Sequence, residues 1–315
     1  MIQVSESVHI IELKLPFHDT PVLNVYIIKG TKSSIVIDTG MGDATSDRFL
    51  TKGIDELGLR RRDVSFVVNT HEHIEHFSGN YSLVESTGAL IVAHRIAREY
   101  IENPSRMVEG EDVIKSLPKE AGDQLRRWGS FFNLIKPTKV SRIVEDGDLL
   151  DQVDGKALRV IHTPGHARGH ICLYDEDKKT LFSGDQVLGT GTPYVGRWGY
   201  DASGDMGDYL ASLKRLKELD LNLILPSHGP LVTEPYKRID ETIERKLKRE
   251  KSIIESIKGV DEKDIWTITK EVYDCPPSEV YFLASCVLAY LSKLRKEGKV
   301  EYFNRGFDVI CRLKK

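Results

Sequence analysis

The segment from Asn69 to His76, which follows a run of apolar residues, concentrates groups that bind metal ions. It reads Asn-Thr-His-Glu-His-Ile-Glu-His, so three imidazoles and two carboxylates lie within six positions. Histidines two positions apart lie on one side of an extended or turning backbone, whereas a helical zinc site separates its first pair by four. We therefore expect His71 and His73 to share one cation. Glu75 and His76 can face a second cation if later segments deliver the remaining ligands.

Three later segments carry further candidate ligands. His166 comes after the apolar residues 157–161, Asp185 ends a Phe-Ser-Gly-Asp sequence, and His228 lies within Ser-His-Gly. Seven of the ten histidines fall in these segments and the first cluster. Each cluster follows a predicted strand, and loops at strand ends of a layered α/β fold usually carry function.

The order of these motifs resembles the metallo-β-lactamase superfamily of binuclear hydrolases. The shared pattern is His-x-His-x-(acid)-His, then Gly-His, then Ser-Gly-Asp, then Ser-His-Gly. The opening hairpin predicted for Leu23–Lys29 and Ser34–Asp38 also fits, and Asp38-Thr39-Gly40 is similar to that family's early Asp-x-Gly turn. The resemblance covers roughly residues 1–235 and implies an α/β protein with the four-layered αββα metallo-β-lactamase fold.

The resemblance also implies a ligand set. It assigns three histidines to a first ion, two histidines and an acid to a second, and one carboxylate as a bridge: His71, His73 and His166; Glu75, His76 and His228; and Asp185. The family usually has Asp where this chain has Glu75. The extra methylene leaves two readings, a true ligand that also moves protons, or a hydrogen-bonding neighbour of a ligand imidazole. We expect zinc, one or two ions per chain, with iron or manganese as alternatives because both accept these ligand types.

We expect three further residues near the clusters to support the loops or the ligands of the site. We expect His162 and His170, which flank His166, to hold their loop through hydrogen bonds. Asp38 either orients a histidine through its second ring nitrogen or caps a turn.

The predicted chemistry is hydrolysis by a metal-bound hydroxide, because coordination lowers the pKa of water from 15.7 to roughly 7. No protein nucleophile is then required, which fits the lack of a Gly-x-Ser-x-Gly elbow. Asp185 would orient the hydroxide, and Glu75 or a second water would move the proton. The same groups can attack a phosphodiester, a thioester or an amide, so the reaction class is better supported than the substrate.

Composition indicates an ordinary globular protein. The 315 residues include 45 basic and 48 acidic side chains, a net charge of −3. The four cysteines show no paired spacing, which argues for reduced thiols and a cytoplasmic location. The chain opens without a charged-then-apolar leader and has no apolar stretch of membrane-spanning length, so we expect neither secretion nor membrane insertion.

Two segments could cover the site. A helix is predicted for His94–Ile101, and residues 110–134 look helical again, either as a lid or as an ordinary packing helix. The basic and aromatic side chains of that stretch are Arg126, Arg127, Trp128, Phe131 and Phe132. The Gly-rich loop 189–207 is the better candidate for contacting substrate, because it follows Asp185 directly. Its aromatic and basic residues are Tyr194, Arg197, Trp198 and Tyr200.

The last eighty residues predict a different module. A charged helix at about 236–258 would connect residues 1–235 to a winged-helix-like domain at 259–315, built from two helices and a hairpin around Asn304-Arg305-Gly306. This end resembles the C-terminal domain of the lactamase-like endoribonuclease subgroup known from mitochondria. The resemblance implies a nucleic-acid substrate such as single-stranded RNA, and basic residues near the end could contact phosphates. The rival reading is a module that packs beside the site or forms a homodimer.

Three functional hypotheses follow. The leading one is a zinc-dependent phosphodiesterase or endoribonuclease. The second is a thioesterase of the glyoxalase II kind, acting on a small-molecule substrate. The third is a nucleic-acid-binding protein whose metal site is not catalytic.

Overall fold

A computed structural model describes residues 1–15, 22–107, 135–151, 157–197, 204–276, 279–305 and 308–314. The larger of its sheets has seven strands in chain order: β1 Ile2–Gln3, β2 Val8–Lys14, β3 Val22–Lys29, β4 Ser34–Ile37, β5 Val64–Val68, β6 Leu90–His94 and β7 Val140–Val144. Strands β1 to β4 pair antiparallel, which confirms the predicted opening hairpin, and β4 to β7 pair parallel.

A second sheet of five strands packs against the first. Its strands are β8 Leu149–Asp151, β9 Ala157–His162, β10 Ile171–Asp175, β11 Thr180–Gly184 and β12 Leu223–Pro226. They lie in the order β12-β11-β10-β9-β8, and only β11 and β12 run parallel. Each apolar run that precedes a ligand cluster in the sequence is therefore a strand, as predicted.

Strand β4 shows why these runs are apolar throughout. Ile35 and Ile37 pack into the core between the two sheets, whereas Val36 packs into the core on the outer side of the first sheet. Successive side chains of a strand point to opposite faces, so a strand covered on both sides has to be apolar at every position.

Helices cover both outer faces. They are α1 Ala44–Glu56, α2 Ile74–Phe77, α3 Asn80–Thr87, α4 Arg95–Ile101, α5 Met206–Leu216, α6 Pro235–Ile257, α7 Ile265–Tyr273 and α8 Val280–Lys296, with 3₁₀ turns at Arg61–Asp63 and Pro104–Met107. Leu50 of α1 and Ile101 of α4 pack on the seven-stranded sheet, and Leu213 of α5 and Ile239 of α6 pack on the five-stranded one. The four-layered αββα arrangement is confirmed.

The C-terminal elements follow the predicted order of helix, helix and hairpin. After α7 and α8 come β14 Val300–Arg305 and β15 Asp308–Leu313, and β15 also pairs with β13 Lys263–Asp264. The resulting sheet has the order β13-β15-β14. Its side chains join the same apolar cluster as α5 and the five-stranded sheet. The domain boundaries and the winged-helix resemblance stay predictions.

Several other expectations can be placed on this structure. The predicted helix at residues 94–101 is α4. The candidate lid and its aromatic and basic residues fall in 108–134, outside the described residues, as do Trp198 and Tyr200. All four cysteines are free. Among the described helices, none has the length and apolar character needed to cross a membrane.

Candidate metal centre

The predicted ligands meet where strands of both sheets end. Asp38 follows β4, the cluster beginning at His71 follows β5, and the loop holding His166 follows β9; Asp185 and His228 follow β11 and β12. All seven predicted ligands fall into three overlapping groups whose candidate ligand atoms lie within 4.8 Å of one another: His71, His73 and His166; His71, His76 and Asp185; and Glu75, His76 and His228.

The first group has the spacing of a zinc site. His71 Nε2 lies 3.0 Å from His73 Nδ1 and 3.2 Å from His166 Nε2. Ligand nitrogens that are 2.0–2.1 Å from a tetrahedral zinc ion stand about 3.3 Å apart. The three nitrogens are therefore already at nearly the separation that one ion requires.

Two of these imidazoles, His71 and His166, favour the neutral form that metal ligation demands. Burial, followed by the neighbouring imidazoles, lowers the pKa of His71 well below its usual value. Burial and the nearby rings of His73 and His170 do the same to the pKa of His166. Neutral rings keep one nitrogen lone pair for a cation.

Backbone carbonyls fix two of the rings. His166 Nδ1 donates to the carbonyl oxygen of Tyr194 at 2.5 Å, and His228 Nδ1 donates to that of Val22 at 2.7 Å. A ligand histidine that commits its second N–H in this way has a fixed tautomer and ring orientation. In both rings the Nε2 lone pair then faces the cluster.

Asp38 holds two more of the rings. Its Oδ2 accepts from His76 Nδ1 at 2.8 Å and from the hydroxyl of Thr70 at 2.9 Å, and its Oδ1 accepts from the backbone N–H of Thr70. The Thr70 hydroxyl oxygen in turn lies 3.0 Å from His71 Nδ1. Of the two roles open from the sequence, the structure supports orientation of histidines.

Glu75, His76 and His228 are the candidate ligands of the second ion and are called here the second group; together with Asp185 they contain buried polar atoms that lack partners. Among the described residues, His76 Nε2, Asp185 Oδ1 and His228 Nε2 are buried and make no hydrogen bond. Asp185 Oδ1 lies 3.8 Å from His76 Nε2 and 3.4 Å from His228 Nε2, and Glu75 Oε1 lies 4.0 Å from His76 Nε2. Buried polar atoms are nearly always satisfied, so a convergent set of this kind fits a cation. The residues present therefore suit a second metal ion.

Asp185 lies between the two groups. Its Oδ2 is 3.5 Å from His166 Nε2 of the first group, while its Oδ1 faces His76 and His228 of the second. One carboxylate oxygen thus points to each predicted site. This placement suits the bridging role that the sequence resemblance implies.

The second group is rich in negative charge. Burial lowers the pKa of His76, but the carboxylates of Asp38 and Asp185 outweigh burial and raise it to about 9. Burial raises the pKa of Glu75, but the imidazoles of His76 and His73 bring it below its usual value. The field of these carboxylates favours a cation at this position.

The flanking histidines support the loops, as expected. His170 Nδ1 lies 2.8 Å from the hydroxyl of Thr163, and its Nε2 accepts from the backbone N–H of Asp185 at 3.0 Å. His162 Nε2 donates to the carbonyl oxygen of Arg168 at 2.8 Å. Both predicted hydrogen-bonding roles are confirmed, and His170 acts on Asp185 itself.

Sequence reasoning missed several contributors. The carbonyls of Tyr194 and Val22 have no signal in the sequence, because every residue has a carbonyl. His94 stacks on His162 with ring centroids 4.2 Å apart. A single histidine outside any motif gives no indication of such a contact. Glu72, the other acid of the first cluster, accepts from the backbone N–H of Gly169 at 3.0 Å.

Comparisons with known proteins show what the chain is similar to. The family model described as "Metallo-beta-lactamase superfamily" matches residues 21–228. The Caenorhabditis elegans protein "Beta-lactamase-like protein 2 homolog" is 28% identical over 279 residues, which are 88% of this chain and 80% of that protein. The human protein "Acyl-coenzyme A thioesterase MBLAC2" is 31% identical over 222 residues, which are 65% of this chain and 72% of that protein.

A solved structure extends the likeness to the whole chain. The crystal structure of the "metallo-beta-lactamase family protein TTHA1429" from Thermus thermophilus superposes with a TM-score of 0.84 at 24% identity. The match covers 98% of this chain and 100% of that one. At this identity the likeness concerns the fold, and it includes the C-terminal elements.

Proposed function

The chain belongs to the metallo-beta-lactamase superfamily of hydrolases, and from this premise we propose that it is a zinc-dependent hydrolase of acyl thioesters. One observation carries the hydrolase part of the proposal. The unpartnered atoms of His76, Asp185 and His228 converge beside the imidazoles of His71, His73 and His166. Buried polar atoms cost free energy unless something binds them, and a pair of divalent cations satisfies them all.

The donor set determines which ions suit the sites. In the proposal one zinc ion is held by His71, His73 and His166. The second is held by Glu75, His76 and His228, and Asp185 lies between the two sets. Imidazole and carboxylate donors suit zinc, although iron and manganese also accept them. Bound divalent ions would supply a water of lowered pKa and polarise the carbonyl of the substrate.

The protein's own groups would handle the protons. Hydrolysis of a thioester adds water oxygen to the carbonyl carbon and breaks the C–S bond, which yields a carboxylic acid and a thiol. Asp185 lies between the two groups and would orient the attacking water. Glu75 would accept its proton and return it to the leaving sulfur, because its carboxylate is ionised and partly accessible at the edge of the site.

A thioester is favoured over a phosphodiester for two reasons. The relative with 31% identity carries the name of an acyl-coenzyme A thioesterase. In addition, four exposed basic residues at the C-terminal end are paired with acids. These pairs are Lys296–Asp205 at 2.7 Å, Lys299–Glu297 at 2.7 Å, Arg305–Glu262 at 2.6 Å and Arg312–Glu301 at 2.9 Å. A phosphate backbone would have to compete with these carboxylates. We therefore place the thioesterase ahead of the phosphodiesterase, the reverse of the order that the sequence alone favoured.

A phosphodiesterase is the second candidate. The observation in its favour is the α7, α8 and β14–β15 arrangement, which follows the site in the order of a winged helix. In this alternative the substrate is single-stranded RNA or another nucleic acid. A homodimer and a cytoplasmic location also stay proposals, the latter supported by four free thiols.

The substrate class can be tested with the full-length protein. Acyl-coenzyme A thioesters of several chain lengths and a single-stranded RNA are incubated with wild-type protein, His71→Ala and Asp185→Asn. We expect thiol release by the wild type and a loss of about 10²-fold in Asp185→Asn, because a reacting group that is misplaced by about 1 Å already costs that much. RNA cleavage that disappears in both variants, without thiol release, would transfer the assignment to the phosphodiesterase. Thiol release that survives in both variants would refute a metal-dependent mechanism.

The role of Glu75 can be tested without any substrate. Elemental analysis of wild-type protein, Glu75→Asp and Glu75→Gln compares zinc per chain. We expect two ions in the wild type and in Glu75→Asp, and loss of one ion in Glu75→Gln, which keeps the length but removes the charge. Equal metal content in all three proteins would show that Glu75 is not a ligand.

A further inference from the structure

Residues 193–197, called here the carbonyl loop, link the metal centre to the C-terminal helices. The carbonyl oxygen of Tyr194 receives the Nδ1 proton of His166 at 2.5 Å. Val195 is fully buried in the apolar cluster that includes α8. The position of this loop therefore determines the orientation of a predicted ligand of the first ion.

Helix α6 holds one end of the carbonyl loop with a buried cation. Lys246 Nζ donates to the carbonyl oxygen of Pro193 at 2.5 Å, and the side chain is only 7% exposed. Earlier on the same helix, the buried Arg238 Nε donates to the carbonyl oxygen of Leu188 at 2.8 Å. Buried cations are costly unless hydrogen-bonded, and here the bonds are made to the loop that follows Asp185.

Helix α8 holds the other end through Ser285. The backbone N–H of Arg197 donates to the carbonyl oxygen of Ser285 at 3.3 Å. The Ser285 hydroxyl donates to the carbonyl oxygen of Phe282 at 2.7 Å, so its single proton is committed. The short hydrogen bond between the hydroxyls of Tyr194 and Ser285 is therefore donated by Tyr194. The ring of Phe282 also meets the Tyr194 ring edge-on, with centroids 6.3 Å apart.

A second connection from α8 reaches the other side of His166. Lys296 Nζ lies 2.7 Å from Asp205 Oδ2. The backbone N–H of Asp205 donates to the carbonyl oxygen of Gly165 at 2.9 Å, and Gly165 directly precedes His166. Helix α8 thus braces both the loop that accepts from His166 and the turn that carries it.

We propose that Tyr194 and Ser285 are positioning residues, which fix the ring of His166 through the Tyr194 carbonyl and make the C-terminal helices part of the metal centre. The proposal rests on the metal-dependent function above. It assigns to α6 and α8 a role in metal affinity, whereas the sequence left open a module that contacts nucleic acid and one that packs beside the site. Ligand histidines are oriented by their hydrogen-bond acceptors, and loss of such an acceptor's support changes metal affinity.

The test measures cobalt(II) binding to full-length protein, because cobalt absorbs visible light according to its ligand geometry. Variants Tyr194→Phe and Ser285→Ala each remove one side of the same hydrogen bond, and the double variant removes both. Thr269→Val is the control, because its buried hydroxyl donates within its own helix, to the carbonyl oxygen of Ile265 at 2.7 Å. Affinity is obtained by competition with a chelator, and folding is checked by urea unfolding.

We expect each single variant to lower the affinity for the first cobalt ion by about 10-fold, the lower end of the range for groups that support a metal ligand. The absorption spectrum should shift in both variants, the double variant should be no weaker than the singles, and Thr269→Val should match the wild type. Unchanged affinity and spectrum in both variants would overturn the proposal, and so would an equal change in Thr269→Val. If Ser285→Ala does not fold, Tyr194→Phe decides alone.

The two proposals fail in different ways. A wild-type protein that binds no cobalt refutes the metal centre and the positioning role together. A wild-type protein that binds cobalt but cleaves no thioester leaves the positioning role intact and removes only the substrate assignment. Normal cobalt binding in both variants removes only the positioning role.

Discussion

At the scale of single residues, Asp38 shows how one carboxylate supports two histidines. It follows β4 with φ of +64°, a conformation that Asp and Asn adopt more readily than other residues with a Cβ. From there its oxygens reach His76 directly and His71 through Thr70. The Asp-x-Gly turn in the sequence therefore indicates a support for the ligands, made possible by a backbone that few residues tolerate.

Replacing Asp38 by Asn tests this support. Asn keeps the shape and tolerates the same backbone conformation, but it removes the charge that faces His76. We expect affinity for the second metal ion to fall about 10–100-fold, the usual loss when such a partner is removed. Chelator competition with zinc measures the change.

Asp43→Asn is the matched control for Asp38→Asn. Asp43 accepts from the backbone N–H groups of Thr45 and Ser46 at the start of α1, so its hydrogen bonds serve the helix and not a candidate ligand. Its variant should bind zinc as the wild type does. Equal affinity in Asp38→Asn and the wild type would contradict the orienting role.

Lys246 gives a pH-dependent prediction. Burial lowers its pKa to about 8, whereas a lysine in an unfolded chain titrates near 10.4. Between these values the unfolded state holds a proton that the folded state has lost, so the free energy of unfolding rises with pH across this window. Below pH 8 both states are protonated and the cost of the buried charge is fully present. The whole rise amounts to about 3 kcal/mol.

Urea unfolding from pH 7.5 to 10.5 can isolate this contribution. In Lys246→Met the rise should be absent, so the difference between wild type and variant should change with pH by roughly the amount above. Lys248→Met, an exposed position on the same helix, serves as the control and should follow the wild type. Parallel pH curves for wild type and Lys246→Met would show that Lys246 does not titrate in this range.

The residue scale also shows where sequence reasoning ends. Histidines two apart predicted a shared first site, and the structure brings His71 and His73 together. The sequence left two roles open for Glu75, which stands where the family usually has Asp. In spite of the extra methylene, its carboxylate reaches His76 and His228. The acceptors for His166 and His228 could not be predicted, since a carbonyl carries no side-chain identity. Only folding brings them near a ring.

At the scale of elements, strands were predictable because long apolar runs suit strands buried on both faces. The order in which the strands pair was harder to predict from the sequence. Strands β11 and β12 are neighbours in the sheet although α5 lies between them in the chain. Their parallel pairing places Asp185 beside His228. The turn at the end of β11 is as constrained as the strand. Gly184 there has φ of +50°, and a Cβ at this position would lie 2.6 Å from His170 Nε2.

Gly184→Ala should therefore damage both stability and metal binding. Gly191 has a similar φ of +67°, but a Cβ there meets nothing within 4 Å, so Gly191→Ala measures the backbone cost alone. We expect about 1–2 kcal/mol for Gly191→Ala and about 1–3 kcal/mol more for Gly184→Ala, because the new methyl group pushes on His170. Urea unfolding gives both values, and zinc content should fall only in Gly184→Ala. Equal costs would show that the turn can relax away from His170.

At the scale of the whole molecule, one apolar cluster crosses the boundary expected between two domains. It joins Ile161 and Ile224 of the five-stranded sheet to Ile253 of α6 and Val287 of α8. The sequence predicted the elements on both sides of residue 235, but it left open whether the C-terminal module packs beside the site, because amphipathic helices do not specify their partner surface.

A chain that ends at residue 234 should therefore not fold to a soluble monomer. Removing α6 to α8 leaves the outer face of the five-stranded sheet and part of α5 exposed to water. Each large apolar side chain that loses its burial forfeits about 1.5–3 kcal/mol, so a handful of them exceeds the roughly 5–15 kcal/mol that stabilises a typical domain. Size-exclusion chromatography, circular dichroism and zinc content of the fragment, beside the full chain, measure the outcome. A monomeric, folded fragment with both zinc ions would instead establish residues 1–234 as an independent domain. It would also show that α8 is not needed to hold the ring of His166.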